Sequence, residues 1–178
     1  LFRFLIAINM LAAISVCLLF VATAVKGDLP DNQVSLIENL ISDGVSLPDT
    51  TLDDLMGDFH EDDVICGFEI ENWTRFPLVQ PEVRLHGGNA SIGPLPVAPS
   101  EREAMVVHQD TAAQGTWGTV SWLLAGLDRR VYVMWSVPYN TYWYSNWLAV
   151  GLSAPGEDIH DTGDAVFDQM YYGDPTPE

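Results

Sequence analysis

The chain has 178 residues, and 25 aspartates and glutamates against seven lysines and arginines give it a formal net charge of −18 at pH 7. All the acidic residues lie at or beyond Asp28, where five arginines and no lysine oppose them, so this part carries a formal charge of −20. A chain with this charge cannot neutralise the phosphates of a polyanionic partner. Nucleic acid is therefore excluded as a partner and anionic lipid is disfavoured, whereas a zwitterionic membrane is not repelled.

The first 27 residues have the layout of a secretory signal peptide. Arg3 precedes an almost wholly apolar run at residues 4–25, which ends in small residues shortly before Gly27. An uncleaved membrane anchor is the alternative, because about 20 apolar residues suffice to span a bilayer. We favour a cleaved signal and a secreted product, since the segment is N-terminal and small residues close it.

Cys66 is the one cysteine beyond that segment. A secreted chain with a single cysteine has no internal disulfide framework, so its fold must rest on core packing. Cys66 lies in the apolar run 64–68, and we interpret it as a small buried hydrophobic side chain.

Residues 28–62 carry the pattern of one or two short amphipathic helices. Apolar side chains recur at helical spacing in residues 31–43, where Asp31 fits the N-cap position. A second apolar face comprises Leu52, Leu55, Met56 and Phe59. These helices either pack against the domain or insert into a membrane, and their acidity argues against spontaneous adsorption.

From residue 63 onward, short strands separated by glycine and proline replace the helical pattern. We predict strands at residues 64–71, 104–108, 115–127, 131–137 and 143–152, with a turn at residues 127–130 that makes two of them a hairpin. The expected fold is mainly β, a β-sandwich flanked by short helices, with the sandwich in residues 63–178.

Residues 135–148 are the most unusual stretch: six of these 14 side chains are Trp or Tyr, and none is charged. Aromatic rings with a polar tip suit a surface that is half wet and half apolar, and they attract quaternary ammonium groups through cation–π interactions. An aromatic-rich core strand is the ordinary alternative, since aromatic residues are also favoured in strands.

The sequence contains no HExxH, P-loop, GxSxG or paired-cysteine motif, so we predict no enzyme, no cofactor and no metal site. His60 and His160 have acidic neighbours with which they could bind a metal weakly, but a solvated acidic loop is the simpler interpretation. Two N-glycosylation sequons begin at Asn72 and Asn89. They matter only in a secreted chain.

The aromatic stretch resembles the signature of the actinoporins and their molluscan relatives, the conoporin- and echotoxin-like proteins. The matching residues are Ser136-Val137-Pro138-Tyr139 and Trp143-Tyr144-Ser145-Asn146-Trp147. Residues 43–47, 64–72, 115–122 and 170–175 are also similar to that family, so the likeness covers approximately residues 34–175.

The resemblance implies a cysteine-poor pore-forming cytolysin that is a monomer in solution and docks on target-cell membranes containing sphingomyelin. Its N-terminal helix would then detach and line a homo-oligomeric pore. By position, the resemblance implies a phosphocholine site and two membrane anchors. The phosphocholine site would comprise Ser136, Pro138, Tyr144, Tyr171 and Tyr172, with Trp143 and Trp147 as anchors and Trp117 in place of a small apolar pocket residue.

Several positions depart from the family pattern. Phe167 stands where the family has another pocket tyrosine, Leu148 replaces a second Trp, and residues 61–63 and 155–164 are acidic where the family is often basic. The family also continues beyond the position of Glu178, so we expect the final strands of the sandwich to be missing from this sequence. Two alternatives stay open: a lectin-like or lipid-binding module that docks without perforating, and an inactive truncated homologue.

Overall fold

The computed structural model describes residues 2–8, 12–16, 52–56, 64–160 and 164–173. The helix predicted at residues 31–43 and the candidate ligand His60 lie outside these ranges. The elements in chain order are β1 (Phe2–Ile8), β2 (Ala12–Val16), α1 (Leu52–Met56), β3 (Ile65–Asn72), β4 (Leu78–Gly87), β5 (Asn89–Ile92), β6 (Arg102–His108), β7 (Thr116–Leu124), β8 (Arg129–Val137), β9 (Trp147–Leu152) and α2 (Ala165–Tyr172).

Two antiparallel sheets pack face to face and enclose the core. The first has the strand order β2-β1-β3-β6-β5 and the second has the order β4-β7-β8-β9. Alternate residues point inward, as the two-residue period of a strand requires, and the rings of Phe68 and Trp135 meet across the sheets with centroids 5.1 Å apart. The prediction of a mainly β sandwich with short flanking helices is confirmed.

Cys66 belongs to this core and is 1% exposed, as predicted. Burial raises the pKa of its thiol far above the ordinary range. The side chain therefore stays protonated and acts as a small apolar group, because the thiolate is the reactive form of cysteine.

Strands β1 and β2 lie within the segment that the sequence predicts to be a signal peptide. They form a hairpin, and β1 pairs antiparallel with β3, from Phe2 opposite Asn72 to Ile8 opposite Cys66. Because β6 pairs with the other edge of β3, that strand has neighbours on both sides. Removal of residues 1–27 as a leader stays a prediction.

Helix α1 covers the outer face of the first sheet. Its apolar residues Leu52 and Met56 are buried against Ile65 of β3 and Val106 of β6. Gly67 leaves room for the helix, since a Cβ there would lie 2.6 Å from Met56 Sδ and 2.9 Å from Leu52 Cδ1. Leu52 and Met56 of the predicted apolar face therefore pack on the sheet around a residue that has no side chain, whereas Phe59 of that face lies outside the described residues.

Strand β4 was not predicted, because Pro81 interrupts its pattern. Proline is tolerated here since β4 is the edge strand of the second sheet, and a register shift between Val79 and Glu82 accommodates it, with Gln80 at a φ of 48°. The predicted start of the last strand at residue 143 is wrong. Strand β9 begins at Trp147, and the residues before it form a loop.

The predicted hairpin of β7 and β8 is present and defines two ends of the second sheet. Thr116 pairs with Val137 at one end, and Leu124 pairs with Arg129 at the other. The connection from β8 to β9, residues 138–146, leaves the first of these ends. We call that end the aromatic end and the opposite one the polar end.

A buried arginine lies near the polar end. The side chain of Arg130 is fully buried, and its guanidinium group lies 2.8 Å from Asp158 Oδ1, 3.3 Å from Glu82 Oε1 and 2.9 Å from Ser121 Oγ. His160 Nδ1 lies 2.7 Å from the same oxygen of Glu82. The acidic loop at residues 155–164 thus supplies Asp158 as a partner for the buried guanidinium group of Arg130. This contact holds the loop against the second sheet.

Candidate functional site

Three predicted site residues lie side by side across the second sheet at the aromatic end. Ser136 pairs with Trp117 of β7 on one side and with Trp147 of β9 on the other. Residues directly opposite each other on neighbouring strands share a face. Trp135 and Val137 on either side of Ser136 point into the core, so Ser136 points outward. A hydroxyl group is therefore flanked by two indole-bearing positions on the outer face, and we call these three residues the indole row.

Helix α2 packs beside the indole row and adds its own rings. Tyr171 lies 5.9 Å from Trp147 between ring centroids and stacks on Phe167 at 5.4 Å. Phe167 is 4.7 Å from His86 of β4, and Tyr172 meets Tyr171 edge to face at 4.7 Å. A continuous chain of rings thus runs from β4 across α2 to β9.

An acidic residue ties the start of α2 to strand β4. Asp164 Oδ1 lies 3.4 Å from Arg84 Nη2 and 3.3 Å from His86 Nδ1. At the other end of the helix, the Gly173 N–H donates to the Gln169 carbonyl at 2.9 Å. These contacts, with the buried ring of Phe167, fix the helix so that Tyr171 faces Trp147 of β9.

The loop from β8 to β9, together with Trp147 at the start of β9, presents a group of rings to solvent. The exposed fractions are 50% for Tyr139, 84% for Tyr142, 73% for Trp143, 64% for Tyr144 and 52% for Trp147. We call these five residues the aromatic surface. Side chains of this size are usually buried, so their clustering at one end is a distinctive feature of the molecule.

Local contacts hold the loop in shape. Asn140 accepts the Tyr142 N–H through its side-chain oxygen at 3.0 Å and the Tyr144 N–H through its carbonyl at 3.2 Å. The rings of Tyr142 and Trp143 pack edge to face at 4.9 Å. Pro138, the first residue of the loop, fixes the backbone as it leaves β8. The rings therefore extend from a defined turn.

Both interpretations of the aromatic stretch, a core strand and an exposed aromatic surface, apply to different parts of it. Trp135 is 1% exposed and donates its indole N–H to Thr116 Oγ1 at 3.2 Å, as a core strand residue would. The five rings that follow it are at the surface. Trp135 is buried because it occupies an inward-pointing position of β8. The rings of residues 139–144 are exposed because they follow the end of that strand.

Of the predicted site residues, Trp117, Ser136, Trp147 and Tyr171 are brought together. Tyr172 lies beside Tyr171 and is 75% exposed, and the half-buried Pro138 follows β8 directly. Of the loop residues, Trp143 packs on Tyr142 and Tyr144 is exposed. The predicted site residues did not include Tyr139 and Tyr142. Both belong to the uncharged aromatic stretch 135–148, which was the signal that could have identified them.

Metal binding and membrane-spanning helices can be examined in the described part of the chain. In residues 52–56, 64–160 and 164–173, no group of three or more His, Cys, Asp and Glu side chains is placed to hold a metal ion. The helices described there are too short to cross a bilayer. His160, a candidate ligand in the sequence, instead contacts Glu82 and lies 3.5 Å from Asp158.

No family model matches the chain, but individual proteins do. It is 44% identical to Tereporin-Ca1 of Terebra anilis over 135 residues, which are 75% of this chain and 70% of that protein. It is 38% identical to Tereporin-Ts1 of Terebra subulata over 141 residues, 78% of this chain and 67% of that protein. Conoporin-Cn1 of Conus consors is 31% identical over 150 residues, 83% of this chain and 59% of that protein. The chain belongs to the actinoporin-like pore-forming toxins.

Proposed function

We propose that this protein is a secreted, non-enzymatic cytolysin that docks on phosphocholine-bearing membranes, sphingomyelin above all, and inserts its N-terminal segment as an oligomeric pore. The observation that carries the proposal is the aromatic surface, five Trp and Tyr rings that are each half exposed or more at one end of the sandwich. The indole row and the rings of α2, which Trp147 joins to the aromatic surface, support a headgroup site next to it.

The aromatic surface has the chemistry of the membrane interface. Trp and Tyr combine an apolar ring with a polar tip and are enriched at the level of lipid headgroups. Moving one large apolar side chain out of water contributes roughly 1.5–3 kcal/mol. Docking a few of these rings therefore supplies enough free energy for binding without any basic residue.

The indole row and α2 fit a phosphocholine headgroup in two respects. The Ser136 hydroxyl can donate to a phosphate oxygen, and the faces of Trp117, Trp147 and Tyr171 can surround a trimethylammonium group through cation–π contacts. A choline headgroup carries no net charge. The large negative charge of the chain is therefore compatible with this membrane, because residues 135–148 contain no charged side chain.

Pore formation requires the N-terminal segment to leave the sandwich. Helix α1 has five residues, and its buried apolar side chains Leu52 and Met56 pack on Ile65 and Val106 around Gly67. This small contact favours release once the aromatic end is docked. In our proposal the helix then extends into the bilayer with residues that precede it.

The test is dye release from vesicles of matched charge with and without choline lipids. We expect rapid release from vesicles containing sphingomyelin, and neither binding nor release where ethanolamine headgroups replace choline. Binding to sphingomyelin vesicles without release would favour the non-perforating lipid-binding module, for which the acidic N-terminal segment argues. Equal activity on both vesicle types would contradict the phosphocholine site, and a folded protein that ignores both would contradict docking.

A further inference from the structure

The two N-glycosylation sequons have opposite structural environments, although their sequences follow the same rule. The first begins at Asn72, the last residue of β3, and the second at Asn89, the first residue of β5. A glycan is bulky and hydrophilic and needs an asparagine whose amide nitrogen faces solvent. Burial and hydrogen bonding at each site therefore indicate which can carry one.

The side chain of Asn72 is buried and hydrogen-bonded within the fold. It is 1% exposed, and its amide nitrogen donates to the carbonyls of Phe76 at 2.8 Å and Val97 at 3.0 Å. Its side-chain oxygen accepts both the N–H and the hydroxyl of Thr74, at 3.0 and 2.7 Å. One amide hydrogen and the sequon hydroxyl thus stabilise the turn that follows β3, and the other amide hydrogen bonds the distant Val97. Here the Asn-x-Thr pattern is explained by an Asx turn.

Asn89 is exposed on an edge strand. Strand β5 is the outermost strand of the first sheet, and Asn89, Ala90 and Ser91 are all exposed. The amide nitrogen of Asn89 donates to Asp110 Oδ1 at 2.7 Å, a contact at the surface. One amide hydrogen suffices for that bond, so the other is available for replacement by a sugar.

From this contrast we propose that Asn89 carries an N-linked glycan in the secreted protein and that Asn72 does not. The inference rests on the secretion included in the proposed function. The Asn89 Nδ2 forms a bond to C1 of the sugar of a lipid-linked oligosaccharide pyrophosphate. The C1–oxygen bond breaks, the lipid pyrophosphate leaves with the electron pair, and the amide loses one proton. The remaining N–H can still donate to Asp110.

The glycan would stand at the aromatic end. Asn89 pairs with His108, and a Cβ on the neighbouring Gly88 would contact the His108 carbonyl and the side chain of Thr116. Thr116 begins β7 at the aromatic end. Strand β5 belongs to the first sheet, whereas the indole row lies on the outer face of the second.

The test is expression of the full chain behind a heterologous secretory leader in eukaryotic cells, so that its own leader does not limit the result. We expect one band shift on treatment with peptide N-glycosidase, and mass spectrometry should find deamidation by the enzyme at Asn89 alone. Asn89→Gln and Ser91→Ala should each abolish the shift, whereas Ser91→Thr, which preserves the sequon, should retain it.

Three results would overturn the assignment: secreted, folded protein without a shift, a shift that persists in Asn89→Gln, or a glycan mapped to Asn72. Because secretion comes from the added leader, these results do not depend on vesicle activity. Loss of lysis with a glycan on Asn89 would count against the proposed function alone, and lysis without a glycan would count against this inference alone.

Discussion

At the aromatic end large rings lie in solvent, whereas near the polar end a guanidinium group lies in the interior. Trp143 is 73% exposed within an uncharged loop, and Arg130 is fully buried among carboxylates. The rings contribute little to the fold but are available to a membrane. The buried charge serves the fold, because its partners hold the loop that contains Asp158 on the second sheet. Binding and stability should therefore respond to mutations at different ends.

The largest effect on stability is expected from Arg130→Ala. The substitution removes four polar contacts and a packed side chain, and leaves Asp158 and Glu82 without their buried partner. Breaking a buried pair typically costs 3–5 kcal/mol, and because both carboxylates are partly exposed we expect roughly 3 kcal/mol. Chemical denaturation measures this loss. Arg75→Ala, at an exposed arginine over the ring of Phe76, is the control and should cost under about 1 kcal/mol. Similar losses in both variants would contradict the role of Arg130.

The second prediction concerns the carboxyl group of Glu103, which is 6% exposed in β6. Burial, and then the negative charge of Glu101, raise its pKa from 4.5 to about 7. The folded state therefore holds a proton that the unfolded state releases, and stability should fall as the pH rises through this window by roughly 2–3 kcal/mol. Glu103→Gln should flatten the decline between pH 5 and 8, and Glu157→Gln, at an exposed residue, should leave it unchanged. An identical decline in Glu103→Gln would show that another group is responsible.

The third prediction tests the aromatic end directly. Trp143→Ala or Trp147→Ala should weaken binding to sphingomyelin vesicles by about 1–3 kcal/mol, the scale for burial of a large apolar side chain. Unfolding free energy should change little, because both rings are more than half exposed. Trp73→Ala is the matched control, since Trp73 is 61% exposed directly after β3, away from the aromatic loop. Vesicle partitioning that falls equally in all three variants would contradict a localised docking surface.

The smallest effect is expected where α1 meets β3. In Gly67→Ala the new Cβ would displace Met56 and Leu52, which are flexible enough to move, so we expect docking of α1 to weaken by about 1 kcal/mol. Limited proteolysis near residues 52–56 should become faster, and dye release should accelerate if release of the helix limits pore formation. Gly93→Ala, where a Cβ meets nothing within 4 Å among the described residues, should change neither rate. Unchanged proteolysis of Gly67→Ala would contradict close packing of the helix at this glycine.

Much of the sandwich could be predicted from local patterns. Alternation located β3, β6, β7 and β8, and the turn predicted at residues 127–130 identified a hairpin that the structure confirms, although the turn itself lies at residues 125–128. The motif resemblance predicted the family, which the similarity to tereporins confirms. Strand β4 was not predicted because proline argues against a strand. Pro81 is tolerated because β4 lies at the edge of the second sheet.

The candidate site was harder to predict, because it combines residues that are distant in sequence. The resemblance supplied Trp117, Ser136, Trp147 and Tyr171, but their neighbourhood depends on the register of three strands and on the docking of α2. Nothing in the local sequence predicted that Phe167 would stack on Tyr171 and contact His86. Whether these residues bind phosphocholine stays a prediction.

The sequence by itself determined the periodic strands, the uncharged aromatic loop and the acidity of the chain, because each depends on residues close together in the chain. Tertiary structure decided which of those residues are buried. Asn72 and Asn89 begin equivalent tripeptides, yet one lies in the interior and the other at a sheet edge. The physical reason is that burial depends on strand register and sheet order, which are set by contacts between distant residues.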